Sequence, residues 1–153
     1  FGIDRKAKLE GTWANDITEI GYKYQMTDIA ASMGIAGLSE LDNQIDLRRY
    51  FRREYASLLP SDVKLLDEDP ESACWLLTVS VENRGGLRKK LAEKGIESDQ
   101  VHYRNDRYSV FSEFRGDFPN MDAIDSKYLV LPLHMGMTVE DVRYVCGVIQ
   151  SGW

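Results

Sequence analysis

The chain has almost nothing with which to build a covalent framework. It carries two cysteines, Cys74 and Cys146, both inside apolar runs and without CxxC spacing. That scarcity argues against a disulfide scaffold and a zinc site, and for two buried structural thiols. Histidine is equally scarce, with two residues. Neither stands in an HExxH or a Cys/His nucleophile pattern, and GxSxG and glycine-rich phosphate loops are absent. The longest apolar stretch is far short of a membrane span and no secretory signal is visible. The expectation is a soluble cytoplasmic protein with no membrane partner. A basic stripe is also missing. The net charge of −6 argues against a nucleic-acid backbone or an anionic membrane surface as partner. Arg48, Arg49, Arg52 and Arg53 do cluster, but acids flank them, which reads as a solvated helix face.

What is present is globular. Of 153 residues, 43% are hydrophobic and 29% charged, enough for one domain with a core, or a domain with an added arm. The chain opens on Phe1-Gly2 with no initiator methionine, as a processed chain or a part of a longer protein would.

Residues 1–20 are polar and read as an irregular arm. Thr27 is placed to cap a helix, with Asp28 beside the positive end of its dipole. Met26, Ile29, Met33 and Ala36 follow at helical spacing, and Asp42-Asn43 is the expected break. A second helix carries Leu47, Phe51, Tyr55 and Leu58 on one stripe until Pro60 stops it. The period then changes to two: Trp75, Leu77, Val79 and Val81 alternate with Leu76, Thr78 and Ser80, a half-buried strand. Asn83 caps a short helix with Leu87 and Leu91, which Gly95 ends in a left-handed conformation. Residues 97–103 are expected as a second strand, and Leu129 to Leu133 as a short or edge strand because of Pro132. Thr138 and Asp141 form a capping box ahead of Val142, Val145, Cys146 and Ile149, the cleanest helical stripe in the chain. Strands alternating with helices after residue 60 predict a small α/β sandwich preceded by a helical arm.

Two stretches are chemically unusual. "GYKYQMTDIAASMGIAGLSELD", residues 21–42, opens with Tyr22, Lys23, Tyr24 and Gln25 and continues through small residues where leucine is expected. A lysine between tyrosines at a helix entrance can hold an anion, or can simply be solvated. Gly34 and Gly37 each cost a helix roughly 1 kcal/mol relative to alanine, so close packing against something should offset them. "VHYRNDRYSVF", residues 101–111, gathers His102, Tyr103, Arg104, Asn105, Asp106 and Arg107 into one loop. The set suits a polar ligand such as a sugar or phosphate, and equally a surface turn held by its own hydrogen bonds. His134, just before a helix start, fits a backbone-bonded turn as well as a site.

Together these stretches resemble the DegT/DnrJ/EryC1/StrS family of PLP-dependent nucleotide-sugar aminotransferases. "GYKYQMTDIAASMGIAGLSELD" is similar to the family's G-Y-N/K-Y-x-M-[ST]-D-I segment. "FGIDR" resembles its arginine-glycine stretch after the lysine-bearing strand, "LAEKGIESDQVHY" its G-I…H-Y motif, and "LVLPLHMGMTVEDVRYV" its closing LPLHPGLTxEDV. The pieces appear in family order over nearly the whole chain.

The resemblance implies the C-terminal portion of a fold-type-I PLP enzyme. Residues 1–59 would be the dimerisation arm and linking helices, and 60–153 the small C-terminal α/β (α+β) domain. It implies that the Schiff-base lysine lies upstream, since no lysine here stands in that context, so the chain alone is expected to be inactive. It places Lys23 against the PLP phosphate of a partner subunit, with Tyr22 and Tyr24 bracing it. Gln25, His102, Tyr103 and Arg104 would face the substrate. Gln25 departs from the Arg or Asn often found there, and Met135 replaces the usual proline. The implied enzyme is a homodimer moving an amino group from glutamate to a keto-sugar nucleotide, in polysaccharide or glycosylated-metabolite biosynthesis. Alternatives are a PLP-dependent sugar dehydratase of the same family or, for the isolated chain, a non-catalytic α/β interaction or ligand-binding domain.

Overall fold

A computed structural model of the chain describes residues 5–11, 20–22, 24–66, 69 and 71–153. The chain divides into two units, Phe1–Glu40 and Leu41–Trp153.

The first unit contains a one-turn helix α1 (Arg5–Leu9), where an irregular arm was expected, and helix α2 (Asp28–Leu38). Thr27 caps α2 as predicted: its backbone is extended and its hydroxyl accepts from the Ala30 N–H at 3.2 Å. The helix buries none of its residues. Its end comes at a turn over Ser39 and Glu40, ahead of the predicted break. Asp42 and Asn43 instead lie in the first turn of helix α3 (Leu41–Leu58). An aspartate there interacts well with the unpaired N–H groups of a helix start, so the residue expected to end one helix helps to begin the next.

In the second unit, three strands form an antiparallel sheet in the order β1 (Lys64–Leu65), β2 (Leu77–Ser80), β3 (Tyr128–Leu131). Leu77 pairs with Leu131 and Val79 with Leu129. These four point to one face, where Phe51 and Tyr55 of α3 meet Leu87 and Leu91 of helix α4 (Arg84–Glu93) and Val142, Val145, Cys146 and Ile149 of helix α6 (Val139–Gln150). Tyr55 is fully buried, and its phenol donates to the Pro132 carbonyl at 3.0 Å. The predicted caps are in place: Asn83 accepts from Gly86 N at 3.0 Å, Gly95 has φ 71°, and the Thr138–Asp141 box is closed from both sides. Both cysteines are buried, as expected. Pro132 ends β3, which lies at the sheet edge as expected.

Three expectations are corrected. Trp75 does not join the strand inward; it is 67% exposed. Cys74, at φ 51°, takes the buried place just before it and turns the chain out of register. Residues 97–103 form no strand beyond a single bridge from Asp99 to Val130, because Val101 adopts φ 57° and reverses the backbone. Of the four α3 arginines only Arg53 is exposed; the other three are not a solvated, acid-balanced face. Arg48 donates to the carbonyls of Cys74, Trp75 and Leu133 at 3.2–3.3 Å, Arg49 to those of Ser72 and Glu71, and Arg52 to that of Leu66. An irregular segment between strands leaves carbonyls without a ladder partner, and these side chains satisfy them. Among the described residues no helix is long and apolar enough to cross a membrane.

Candidate substrate cleft

The period-two pattern of the strands sets up a second face. Opposite the helices, Thr78, Tyr128 and Val130 form the floor of a cleft of ≈ 690 Å³. Its wall is the segment after the Val101 reversal: two 3-10 turns, Asn105–Arg107 and Ser109–Phe114, then helix α5 (Pro119–Ile124), whose Pro119 occupies the first turn. Phe118, Met121 and Ile124 give the wall an apolar lining.

Buried polar groups fasten this wall to the sheet. The Tyr128 phenol donates to the His102 carbonyl, and Gln100 Nε2 reaches the Tyr128 oxygen at 2.6 Å and Asp125 Oδ1 at 3.1 Å. Asp125, itself buried, pairs with Arg107 through Oδ2 at 2.6 Å. Arg84 of α4 holds the Asp125 carbonyl at 2.7 Å. These bonds offset the cost of taking the polar groups of Gln100, Asp125 and Tyr128 from water as the loop lies on the sheet.

Of the residues predicted to meet substrate, His102, Tyr103 and Arg104 all line the cleft. The His102 ring packs against the exposed Trp75 indole with centroids 5.7 Å apart. Tyr103 meets Tyr108 edge-on at 5.3 Å. Arg104 is placed differently from a side chain reaching for ligand. It is buried, donating to Asp106 through Nε at 2.9 Å and Nη2 at 2.8 Å, and to Asp122 through Nη1. The hydrogen bonds from Asp106 and then Asp122 hold the guanidinium above its ordinary range, and in return Arg104 holds the Asp106 carboxyl below its own. His134 fits the turn reading, its Nδ1 accepting from Gly136 N at 3.2 Å.

The other predicted site residues lie in the first unit. Tyr22 and Tyr24 are exposed and stack on each other at 5.5 Å, and Gln25 is exposed. Lys23 lies outside the described residues. Gln100, Asp122, Asp125 and Tyr128 were missed as site-building residues. The legible signal was Pro119 followed by Asp122, the marks of a helix start, which would have folded this stretch back over the sheet. Among the described residues no cluster of His, Cys, Asp and Glu is arranged to hold a metal.

Residues 1–150 match the DegT/DnrJ/EryC1/StrS aminotransferase family, and the chain belongs to it. It is 31% identical over 137 residues to the GDP-perosamine synthase of Escherichia coli O157:H7, covering 86% of this chain and 38% of that protein. Among solved structures it is similar to AtS13 from Actinomadura melliaura, with 32% identity and a TM-score of 0.85 over all of this chain and 42% of that one. It is also similar to Spr1654 from Streptococcus pneumoniae in its PMP form, at 26% identity and a TM-score of 0.81, covering 97% of this chain and 41% of that one. The chain thus spans about 40% of the length of these relatives.

Proposed function

We propose that this chain is the C-terminal portion of a PLP-dependent enzyme that moves an amino group from glutamate to a keto-sugar nucleotide. The observation that carries the reading is the family match over residues 1–150, with its motifs in order. A relative named for GDP-perosamine, a nucleotide-linked amino sugar, supports the substrate class, and one solved in a PMP form supports the cofactor. Residues 1–59 are read as the arm and linking helices and 60–153 as the small domain, with the Schiff-base lysine upstream of this chain.

When bound, PLP supplies an electron sink for amino transfer. This chain's share is to hold it. Tyr22 and Tyr24, exposed and stacked, flank position 23, so two phenol donors and an ammonium suit a phosphate. Gln25, His102 and Tyr103 are read as facing the nucleotide sugar, and Arg104 as bracing their wall. The homodimer is proposed to form over α2. Met26 just ahead of it and its Ile29, Met33 and Ile35 are exposed, and a Cβ added at Gly34 or Gly37 would meet nothing within 4 Å, so the cost of those glycines is not offset among the described residues.

The test is a PLP titration of the full-length protein, followed by the absorbance of the bound cofactor, beside a melting curve of the apo form. Losing a charge-assisted bond of about 1.5–3 kcal/mol, Lys23→Ala is expected to bind PLP roughly tenfold to a hundredfold more weakly. The apo melting temperature should hold, since the bond removed exists only with the cofactor bound. Unchanged PLP affinity would return Lys23 to solvent. Failure of the wild type to transfer an amino group from glutamate to any keto-sugar nucleotide would defeat the wider reading.

A further inference from the structure

Among the described residues, the one arginine or lysine that lines the cleft on the outer face of the sheet is already paired. Arg104 is 5% exposed and is gripped by both oxygens of Asp106 and by Asp122. Asp106 itself lines the cleft, and no lysine or second arginine does so among the described residues. One positive charge therefore stands against two carboxylates. An anion entering this space would shed its hydration beside a cation whose charge is compensated twice, and beside a carboxylate that repels it. The neutral polar groups are in the opposite condition. The Asn105 amide, the Tyr103 and Tyr108 phenols and the Thr78 hydroxyl line the cleft without a side-chain hydrogen bond among the described residues, next to the Phe118 ring.

We infer that this cleft takes the uncharged, hydroxyl-bearing ring of its ligand, a sugar or a nucleoside, and excludes the phosphates. The inference deepens the nucleotide-sugar reading and rests on it for the ligand's class: the diphosphate must be held elsewhere. Arg104 is then a positioning residue, and Asp106 and Asp122 set specificity by cancelling its charge.

The experiment is amide-resolved NMR titration of the full chain with three probes: methyl α-D-glucopyranoside, uridine and inorganic pyrophosphate. An uncharged probe should shift the amides of Tyr103, Asn105 and Tyr108 saturably at millimolar concentration, while pyrophosphate leaves them in place. Response to the glycoside alone identifies a sugar subsite, and to uridine alone a nucleoside subsite. Asn105→Ala should weaken that binding by about fivefold, the worth of one neutral hydrogen bond. Asp122→Asn removes a carboxylate that is 53% exposed, so folding should survive. With half its compensation gone, Arg104 should then bind pyrophosphate at least about tenfold more tightly than in the wild type. Asp106→Asn gives the same gain if Asp122→Asn misfolds. Saturable pyrophosphate binding by the wild type, no response to either neutral probe, or no gain in the folded charge variants would each overturn the inference. These outcomes are independent of the PLP titration: a chain that binds the glycoside but whose full-length protein retains no PLP keeps this cleft and loses the transferase reading.

Discussion

Helices α2 and α6 begin alike and end up in opposite surroundings. Each starts on a threonine cap with an aspartate in its first turn, and they run for 11 and 12 residues. In α6, Val142, Val145, Cys146, Val148 and Ile149 are buried; in α2 nothing is. The cap fixes where a helix starts, because it is satisfied within one turn of its own chain. What the helix contributes to stability depends on what its apolar stripe meets, and an isolated helix of this length is marginal in water. The difference predicts that equal chemistry at the two helices has unequal consequences.

Side-chain truncation should show the largest contrast. Leu129 of β3 is fully buried in the core that the α6 stripe joins, and Leu129→Ala is expected to cost 2–5 kcal/mol, roughly the range for a buried leucine. Met33→Ala on α2, at a residue 72% exposed, should stay within about 0.5 kcal/mol. Urea unfolding at a concentration where the chain is monomeric measures both. A comparable loss at Met33 would mean that α2 has a buried partner in solution.

Alkaline pH separates the helices next. Burial raises the Cys146 thiol from its ordinary 9.0 to about 11. Between those values the unfolded chain has released a proton that the folded chain still holds. Stability is therefore complete below pH 9 and falls as pH rises toward 11, by on the order of 2–3 kcal/mol. Burial also pushes the Tyr55 phenol up, so the loss steepens above its ordinary 10.0. Unfolding free energies of the wild type and Cys146→Ala from pH 8 to 10 isolate the thiol. Parallel slopes would show that the thiol is not the group titrating.

The same distinction between local and distant causes explains what could be read from residues alone. Thr27, Asn83, Gly95 and the Thr138–Asp141 pair declare themselves because their partners lie three or four positions away. The stripe of α6 and the alternation of Leu77, Val79 and Val81 are periodicities of a single element. The errors fall where the cause is distant or conformational. Cys74 and Val101 hold left-handed backbones that no residue preference announces, and they displaced Trp75 and dissolved the expected strand at 97–103. The α3 arginines looked solvated because the carbonyls they serve lie 14–27 residues on, and 85 for Leu133. In the cleft, His102, Tyr103 and Arg104 were legible as a group. The burial of Arg104 was not, since Asp122 is 18 residues away on an unforeseen helix.

The smallest effect tests the opening contrast most closely, because the same group is removed from both helices. In α6 the Thr138 hydroxyl accepts from Asp141 N at 3.3 Å, while the Asp141 carboxylate accepts from Thr138 N at 2.8 Å. That backbone bond, followed by the bond from the Thr138 side chain, holds the Asp141 carboxyl below its ordinary 3.8. Its contribution is present above that value and is lost as pH falls through the lower folded one. Thr138→Ala should cost about 1 kcal/mol at neutral pH, in the range for caps, and the cost should shrink in acid as Asp141 is protonated. Thr27→Ala removes an equivalent bond, to Ala30 N at 3.2 Å. Fraying there uncovers no buried side chain, so the unfolding midpoint should stay put while far-UV circular dichroism loses a little helical signal. If Thr27→Ala moves the midpoint as far as Thr138→Ala does, α2 is coupled to the core and the contrast between the helices fails.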